Sequence, residues 1–201
     1  MARRKLLSYL YPTYLLITIL AVVAVGFYAS TAMRTFYESE VREDLETRAQ
    51  LVTSRLGAPL TEAYADAEAR GLAAYRQVDD LVKKLGNQTD TRFTVILADG
   101  RVVADSAEQP ETMENHANRQ EIRQALEDGV GVSHNRMSPT LGKRMTYVGV
   151  REELPGLGPV VVRSALPTTD IEQALDSVYF NLALAALITA GVAALVCLYA
   201  A

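Results

Sequence analysis

The sequence predicts an α+β domain, in which an antiparallel sheet packs beside two long helices, between two membrane-spanning helices. Three observations lead to this prediction. Two long segments are apolar, the stretch after the first repeats apolar residues every three or four positions, and later stretches have the shorter period of strands. The order helix, helix, two strands, short helix, three strands favours a sheet with the long helices on one face.

The two apolar segments are the predicted membrane spans. Residues 6–33 and 177–201 contain no charged side chain, and each exceeds the roughly 20 residues that cross a bilayer as a helix. Basic residues beside a span stay on the cytoplasmic side, and three of them, Arg3, Arg4 and Lys5, precede the first segment. A cleaved signal peptide is the alternative, but its apolar core is usually only ~7–15 residues long.

These boundaries predict the domain organisation. We expect a cytoplasmic basic N-terminus at 1–13, a first span at 14–33, an extracytoplasmic domain at 34–176 and a second span at 177–201. The one cysteine, Cys197, lies in the second span, so no disulfide forms within the chain. A disulfide-free domain outside the cytoplasm is typical of a bacterial envelope protein, and we predict a multi-pass protein of the bacterial inner (cytoplasmic) membrane.

Charge excludes one class of partner. The chain has 24 acidic and 20 basic residues and a formal charge of −4. Because an acidic domain and nucleic-acid phosphates repel each other, we expect no nucleic acid as a partner.

Two helices are predicted between the first span and the sheet. The apolar face of the first consists of Tyr37, Val41, Leu45, Ala49, Val52 and Leu56. No glycine or proline interrupts this helix before Gly57 and Pro59, so it can continue directly from the span. The second helix is expected at 60–86, opened by Thr61 and closed by Gly86. The apolar face of the first helix either packs on the sheet or forms the seam of a homodimer.

Five strands are predicted at 92–166. The stretch "RFTVILADGRVVADS" has an Asp-Gly turn between β-branched runs, which indicates a hairpin. Asn118 and Glu121 resemble a capping box that opens a short helix, and Gly129 ends it. The stretches "GVGVSHNRM", "KRMTYVGVREEL" and "GPVVVRSAL" are typical of three further strands, and a helix at 167–176 leads into the second span.

No catalytic site is expected. The two histidines lie in separate segments, and no glycine-rich loop has the lysine that a phosphate site needs. A hard cation such as Ca²⁺ or Mg²⁺ prefers oxygen ligands, and an acidic run supplies the weak candidates Asp105, Glu108, Glu111 and Glu114, followed by His116. A solvated acidic loop is the interpretation that we favour, because charge runs usually face water. We therefore predict neither a metal nor a cofactor in this region.

Five polar residues are candidates for a ligand pocket on the free face of the sheet. They are Arg119, Arg136, Arg144, Tyr147 and Arg163. Arginines in a concave site suit carboxylate or phosphate, and the alternative is that each is a surface side chain or an internal tie. Three more residues, Asp105, Asn115 and His116, are expected to structure the neighbouring loop by binding backbone groups.

Three stretches carry a resemblance to a known family. "ADGRVVADSAEQPETMENHANRQEIRQAL", "LGKRMTYVGV" and "VVVRSALPTTDIEQAL" resemble the input region of phosphate-regulon-type sensor histidine kinases. The resemblance covers nearly the whole sequence and is densest over 93–166. It implies an extracytoplasmic PAS-like (single Cache-type) sheet between two spans. Gln120 stands where the family usually has a proline, which weakens the start of the short helix.

The resemblance also implies a function. The chain would be the signal-sensing and transmembrane input region of a two-component sensor histidine kinase, and its end inside the second span suggests a piece of a longer protein. In that family a cytoplasmic part binds ATP and Mg²⁺ and acts on a response regulator. Implied partners here are a second copy along the membrane-proximal helix, the lipid bilayer, and a transporter or adaptor. From the residues, an envelope adaptor that binds a partner protein and no small ligand is the alternative.

Overall fold

The predicted α+β class is confirmed in a computed structural model, which describes residues 2–138 and 141–200. The helices are α1 (Ala2–Arg70), α2 (Arg76–Thr89), α3 (Gln120–Asp128) and α4 (Thr169–Ala200). The strands are β1 (Arg92–Leu97), β2 (Val102–Asp105), β3 (Val130–Met137), β4 (Arg144–Leu154) and β5 (Gly158–Pro167). Side chains at 2–12, 15, 169–175, 193 and 196–200 lie outside this description, among them the basic N-terminal residues and Cys197.

The predicted break between the two long helices is wrong. Helix α1 continues through Gly57 and Pro59 to Arg70, because its buried face also continues, with Leu56 and Leu60 fully buried. Thr61 is no cap, since its hydroxyl donates to the carbonyl oxygen four residues back, within the helix.

The helix ends instead where the backbone turns left-handed. Gly71 has φ +56° and begins a 3-10 turn, Gly71–Tyr75, that leads into α2. Gly86 does not close α2, which ends at Thr89. The N–H of Asp90, at φ 50°, donates to the Gly86 carbonyl oxygen and caps the helix.

The Asn118–Glu121 capping box is also absent. Helix α3 begins at Gln120 after an extended Arg119, and no side chain caps it. The Glu121 carboxylate binds two arginines of the sheet instead. Gly129 ends the helix as predicted, with φ +91° and an N–H that donates to the Ala125 carbonyl oxygen.

Internal contacts divide the chain into two units, Met1–Tyr37 with Asp170–Ala201, and Glu38–Thr169. In the first unit, one stretch of α1 is long and apolar enough to cross a membrane by length and composition, with a mean hydropathy of 2.1. The described apolar segment of α4, Asp176–Val192, is shorter. The second span therefore stays a prediction.

The second unit is a five-stranded antiparallel sheet, in the order β2-β1-β5-β4-β3, with helices on both faces. Helices α1 and α2 cover one face, where the core consists of Leu45, Ala49, Val52, Leu56, Val78 and Val82 against Phe93, Val95, Val148 and Val162. Helix α3 covers part of the other face, where Ile122 and Ala125 pack on Ile96 and Val161. The apolar face of α1 thus packs on the sheet from Leu45 onward, and a homodimer stays a prediction.

Candidate ligand-binding site

A cavity of about 350 Å³ lies on the sheet face opposite α1 and α2. Arg92 of β1, Tyr147 of β4 and Arg163 of β5 line it. Successive side chains of a strand point to opposite faces, so the residues that follow these three in sequence face the helices. The covering loop, 106–119, contributes Glu108, Thr112, Met113, Glu114, His116 and Arg119.

A bulge in β3 brings Arg136 into this lining. Gly131 and Ser133 are buried on the α3 side of the sheet, and uninterrupted alternation would next place Asn135 there. The register instead shifts between Ser133 and Arg136, and Asn135 has φ 51°. One extra residue in the strand therefore turns Arg136 toward the cavity.

Two side chains hold the covering loop in place. The Asp105 carboxylate accepts hydrogen bonds from the backbone N–H groups of Ala107 and Glu108, both at 2.9 Å. The Asn115 side-chain NH₂ donates to the Asp99 carbonyl oxygen at 2.8 Å, and the Asn115 side-chain oxygen accepts from the Ala117 N–H at 2.8 Å. These bonds tie the loop to the end of β2 and to the β1–β2 turn.

A buried network of charges forms the floor of the cavity. The Glu121 carboxylate, which is fully buried, accepts from Arg136 at 2.8 and 3.1 Å and from Arg163 at 3.1 Å. Arg163 also donates to the Thr94 hydroxyl at 2.9 Å, and that hydroxyl donates to Asp105 at 2.7 Å. Asp105 is paired with Arg92 at 3.1 Å. The network links β1, β2, β3, β5 and α3.

Both carboxylates of the network, Asp105 and Glu121, are fully buried. Burial by itself would raise the pKa of Glu121, but the positive charges of Arg163 and Arg136 and the hydrogen bonds hold that pKa below its usual value. The carboxylate therefore stays ionised and keeps both guanidinium groups in place.

Tyr147, which also lines the cavity, packs against two arginines of the network. The Arg136 guanidinium carbon lies 4.1 Å from the centre of the Tyr147 ring, and that of Arg163 lies 4.9 Å away. These cation–π contacts offset part of the cost of two buried Nε atoms, on Arg136 and Arg163, which have no hydrogen-bond partner in the described chain.

His116 is a neutral group in the lining. Burial, followed by the positive charge of Arg163, lowers the pKa of His116 to about 4. Its Nδ1 lies 2.7 Å from the Glu114 carbonyl oxygen. A carbonyl only accepts, so Nδ1 carries the proton and Nε2 keeps a lone pair.

The sequence-predicted residues separate into two groups. Arg119, Arg136, Tyr147, Arg163 and His116 meet in one cavity. Arg144 is not part of the lining: its guanidinium donates to the Asn135 carbonyl oxygen at 3.2 Å and holds the bulge of β3, as an internal tie would. Asn115 is also outside the lining and binds backbone groups of the loop.

The weak metal candidates do not assemble into a metal site. Glu108 and Glu114 line the cavity with His116, whereas Glu111 does not and Asp105 is paired with Arg92. In the part of the chain that the structure describes, no three His, Cys, Asp or Glu side chains group closely enough to hold a metal ion.

Three residues of the charge network were missed from sequence: Arg92, Thr94 and Glu121. Arg92 and Thr94 alternate with Phe93 and Val95 on a strand whose six residues are all buried, so polar residues at every second position were a signal of a polar buried face. Glu121 precedes Ile122 on the apolar side of a short helix. An acidic residue on the apolar side of a helix can cap the helix, but it can equally pair with a buried cation.

Comparisons with known proteins identify the fold. No protein-family model matches the chain, and no curated protein matches it in sequence. The sensory domain of the Campylobacter jejuni chemoreceptor Tlp3 is similar in structure, with a TM-score of 0.53 and 12% identity over 84% of this chain and 66% of that domain. The same ligand-binding domain in complex with 4-methylisoleucine gives a TM-score of 0.52 and 13% identity over 83% of this chain and 63% of that domain.

A third similar structure is the sensor domain of the V. cholerae histidine kinase DctB, with a TM-score of 0.43 and 15% identity over 68% of this chain and 60% of that domain. This likeness is too weak to support a conclusion. The chain spans just under two thirds of the chemoreceptor domains that it matches. At these identities the likeness shows a shared fold, the Cache/PAS-like fold of sensory domains.

Proposed function

We propose that this chain is the signal-sensing input region of a membrane receptor, and that its cavity binds a small ligand. One observation carries the proposal: an arginine-lined cavity of about 350 Å³ lies on the sheet face opposite α1 and α2, in a domain with a sensory-domain fold. Ligand pockets measure roughly 300–1,000 Å³, so the ligand is small. The similar chemoreceptor domain binds L-valine and 4-methylisoleucine, which supports a small ligand here.

Two contacts connect the strands beneath the cavity to α1. The Ser164 hydroxyl donates to the Leu45 carbonyl oxygen at 2.7 Å, and Ser164 follows Arg163 of the lining. The Arg48 guanidinium donates to the Thr91 hydroxyl at 2.6 Å, and Thr91 precedes Arg92 of the lining. A ligand that displaces β1 or β5 would therefore act on one turn of α1, the helix that also contains the apolar stretch, and shifts of ~1–2 Å suffice in such switches.

The receptor class rests on the sequence resemblance. We infer an extracytoplasmic sensor domain of a two-component histidine kinase in a bacterial inner membrane, acting as a homodimer along α1. ATP, Mg²⁺ and the response regulator would bind a cytoplasmic kinase part outside this chain. We further propose phosphate regulation, through either direct binding or a transporter partner, on the sequence resemblance alone.

A chimeric receptor tests the proposal. The chain is joined to the output half of a known sensor kinase, and residues 38–169 are deleted in a matched variant. We expect a medium component to change the output of the intact chimera and to have no effect on the deletion. Equal responses of both chimeras would refute a sensing role. A stable partner protein in a membrane pull-down, with no ligand-induced rise in melting temperature, would favour the adaptor alternative.

A further inference from the structure

The connection between β3 and β4 exposes two large apolar side chains. Met137, the last residue of β3, is 52% exposed, and Leu141 is 41% exposed. Backbone bonds hold the connection together: the Ser138 N–H donates to the Lys143 carbonyl oxygen at 2.8 Å, and the Gly142 N–H donates to the Ser138 carbonyl oxygen at 2.9 Å. Single exposed apolar side chains are common, so the meaning of this pair depends on its neighbours and on its place in the fold.

The hairpin that carries this pair is basic, although the chain as a whole is acidic. The stretch from Gly129 to Arg151 contains no aspartate or glutamate, and two of its basic residues, Lys143 and Arg144, are exposed beside Leu141. In the described part of the chain, neither of these two forms an ion pair with an acidic side chain. Exposed apolar groups beside unpaired cations are typical of a membrane-surface contact. The hairpin surface is defined as Met137, Leu141, Lys143 and Arg144.

The hairpin surface lies at the end of the sheet where α4 begins. The Thr168 N–H donates to the Arg144 carbonyl oxygen at 2.9 Å, and α4 begins at Thr169. An α-helix rises about 1.5 Å per residue, so a helical link from 169 to the start of the predicted second span at 177 is only about 12 Å long.

Helix α1 leaves the sheet at the same end. The Leu45 carbonyl oxygen accepts from the Ser164 hydroxyl near the end of β5, whereas Gly57, further along α1, lies close to Leu154 at the far end of β4. The part of α1 that precedes Leu45 therefore runs past the end of the sheet that holds the hairpin surface. The predicted first span ends at 33, about 18 Å of helix from Leu45. Both connections to the apolar segments thus start from one end of the sheet.

We propose that the hairpin surface docks on the headgroup layer of the bilayer that α1 crosses, with a preference for anionic phospholipid. The inference goes beyond the sensor function and rests on the predicted spans. The headgroup layer adds about 5–7 Å on each side of the hydrocarbon core, which covers much of the short link of α4. Lys143 and Arg144 carry their charges on long flexible stems that extend toward lipid phosphates, and Met137 and Leu141 enter the boundary with the acyl chains.

The acids of α1 confine the attraction to the hairpin. Glu38, Glu40 and Glu43 are exposed and precede Leu45, so they lie toward the same end of the sheet, and anionic lipid repels them. Charges more than about 8 Å apart are largely screened at physiological salt, so each group responds to the lipid nearest to it. The attraction is therefore local to the hairpin surface, and it weakens as salt is added.

A single tryptophan tests the contact, because the chain has none of its own. Leu141→Trp reports on the hairpin surface, and Tyr64→Trp is the matched control, since both side chains are 41% exposed and Tyr64 lies on α1 beyond Gly57. The full chain is placed in lipid nanodiscs with brominated acyl chains, which quench tryptophan on contact. In discs that contain phosphatidylglycerol, we expect Leu141→Trp to lose about half or more of its emission and Tyr64→Trp about a tenth or less.

Lys143→Gln tests the charge preference. One basic residue near an anionic membrane changes the ratio of bound to free hairpin by about fivefold. In the Leu141→Trp chain, Lys143→Gln should therefore lower this ratio, measured from the quenched fraction, by about fivefold. Arg76→Gln, an exposed basic residue at the start of α2, is the control and should leave the ratio unchanged. Discs of phosphatidylcholine alone should give weaker quenching than discs with phosphatidylglycerol.

Each outcome supports or overturns the proposal. Met137→Trp is the second reporter if the melting temperature shows that Leu141→Trp does not fold. Reporters that stay as bright as Tyr64→Trp would overturn the membrane contact, and equal quenching in neutral and anionic discs would overturn the charge preference. A blue shift without quenching, seen only in discs that hold two copies, would assign the hairpin surface to a second copy instead. The chimeric receptor decides the sensor function independently of these results.

Discussion

Glu121→Gln tests whether the buried charge network holds the sensory unit together. The carboxylate has no exposure to solvent and accepts three hydrogen bonds, from Arg136 at 2.8 and 3.1 Å and from Arg163 at 3.1 Å. Glutamine has nearly the same shape, but its amide nitrogen donates, so it opposes a guanidinium that also donates. The substitution removes the counter-charge of two guanidinium groups, those of Arg136 and Arg163.

The size of the effect follows from the exposure of each partner. Removing one member of a buried ion pair costs about 3–5 kcal/mol. Arg136 is 25% exposed and can turn toward water, whereas Arg163 is 3% exposed and cannot. Because only Arg163 stays buried without a counter-charge, we expect the free energy of unfolding to fall by about 3 kcal/mol, the lower end of that range.

Amide hydrogen exchange measures this loss. The full chain in nanodiscs is exchanged under native conditions, and protection of β4 and β5 gives the free energy of opening. Glu127→Gln, an exposed acid on the same helix, is the control and should change protection by less than about 0.5 kcal/mol. A Glu121→Gln variant as well protected as this control would refute the network as a source of stability.

Three further perturbations test separate parts of the unit. Gly131→Ala places a Cβ 2.0 Å from the Glu121 carbonyl oxygen, so thermal melts should show a loss of stability above about 3 kcal/mol. Gly57→Ala is the control, because its Cβ would make only ordinary contacts inside α1, and it should raise stability by about 0.5–1 kcal/mol. Equal melting temperatures of the two variants would contradict this packing. Ser164→Ala removes the buried hydrogen bond to α1 and should cost about 1 kcal/mol by urea unfolding, while a signalling response that survives unchanged in the chimeric receptor would exclude this contact from signal transfer. Burial, followed by the charge of Arg163, lowers the pKa of His116 to about 4 in the folded chain, against about 6.5 in the unfolded chain, so the folded state keeps its stability above pH 6.5 and loses part of it as pH falls toward 4. The loss is about 3 kcal/mol, and a pH–stability curve that His116→Gln leaves unchanged would contradict it.

Local patterns predicted most of the fold. The Asp-Gly turn of the first hairpin, the three later strands and Gly129 at the end of α3 all follow from backbone preferences of a few neighbouring residues. The break predicted at Pro59 failed because the buried face of α1 continues across it. Packing of Leu56 and Leu60 outweighed the local preference.

The site was predictable only in part. The sequence pointed to Arg119, Arg136, Tyr147 and Arg163 because they are arginines and an aromatic residue near predicted strands. It did not predict which of them pair with buried acids. Glu121 matches a capping box in sequence, and its actual partners lie 15 and 42 residues away. A local motif cannot tell a backbone partner from a cation on another strand.

The sequence by itself determined the apolar stretch of α1, the order of helices and strands, and the acidic balance of the chain, because these depend on residue type and short-range spacing. Only the tertiary structure decided which arginines pair with buried acids. That outcome depends on strand register, on the extra residue at Asn135 that turns Arg136 into the cavity, and on distances of about 3 Å between groups far apart in sequence.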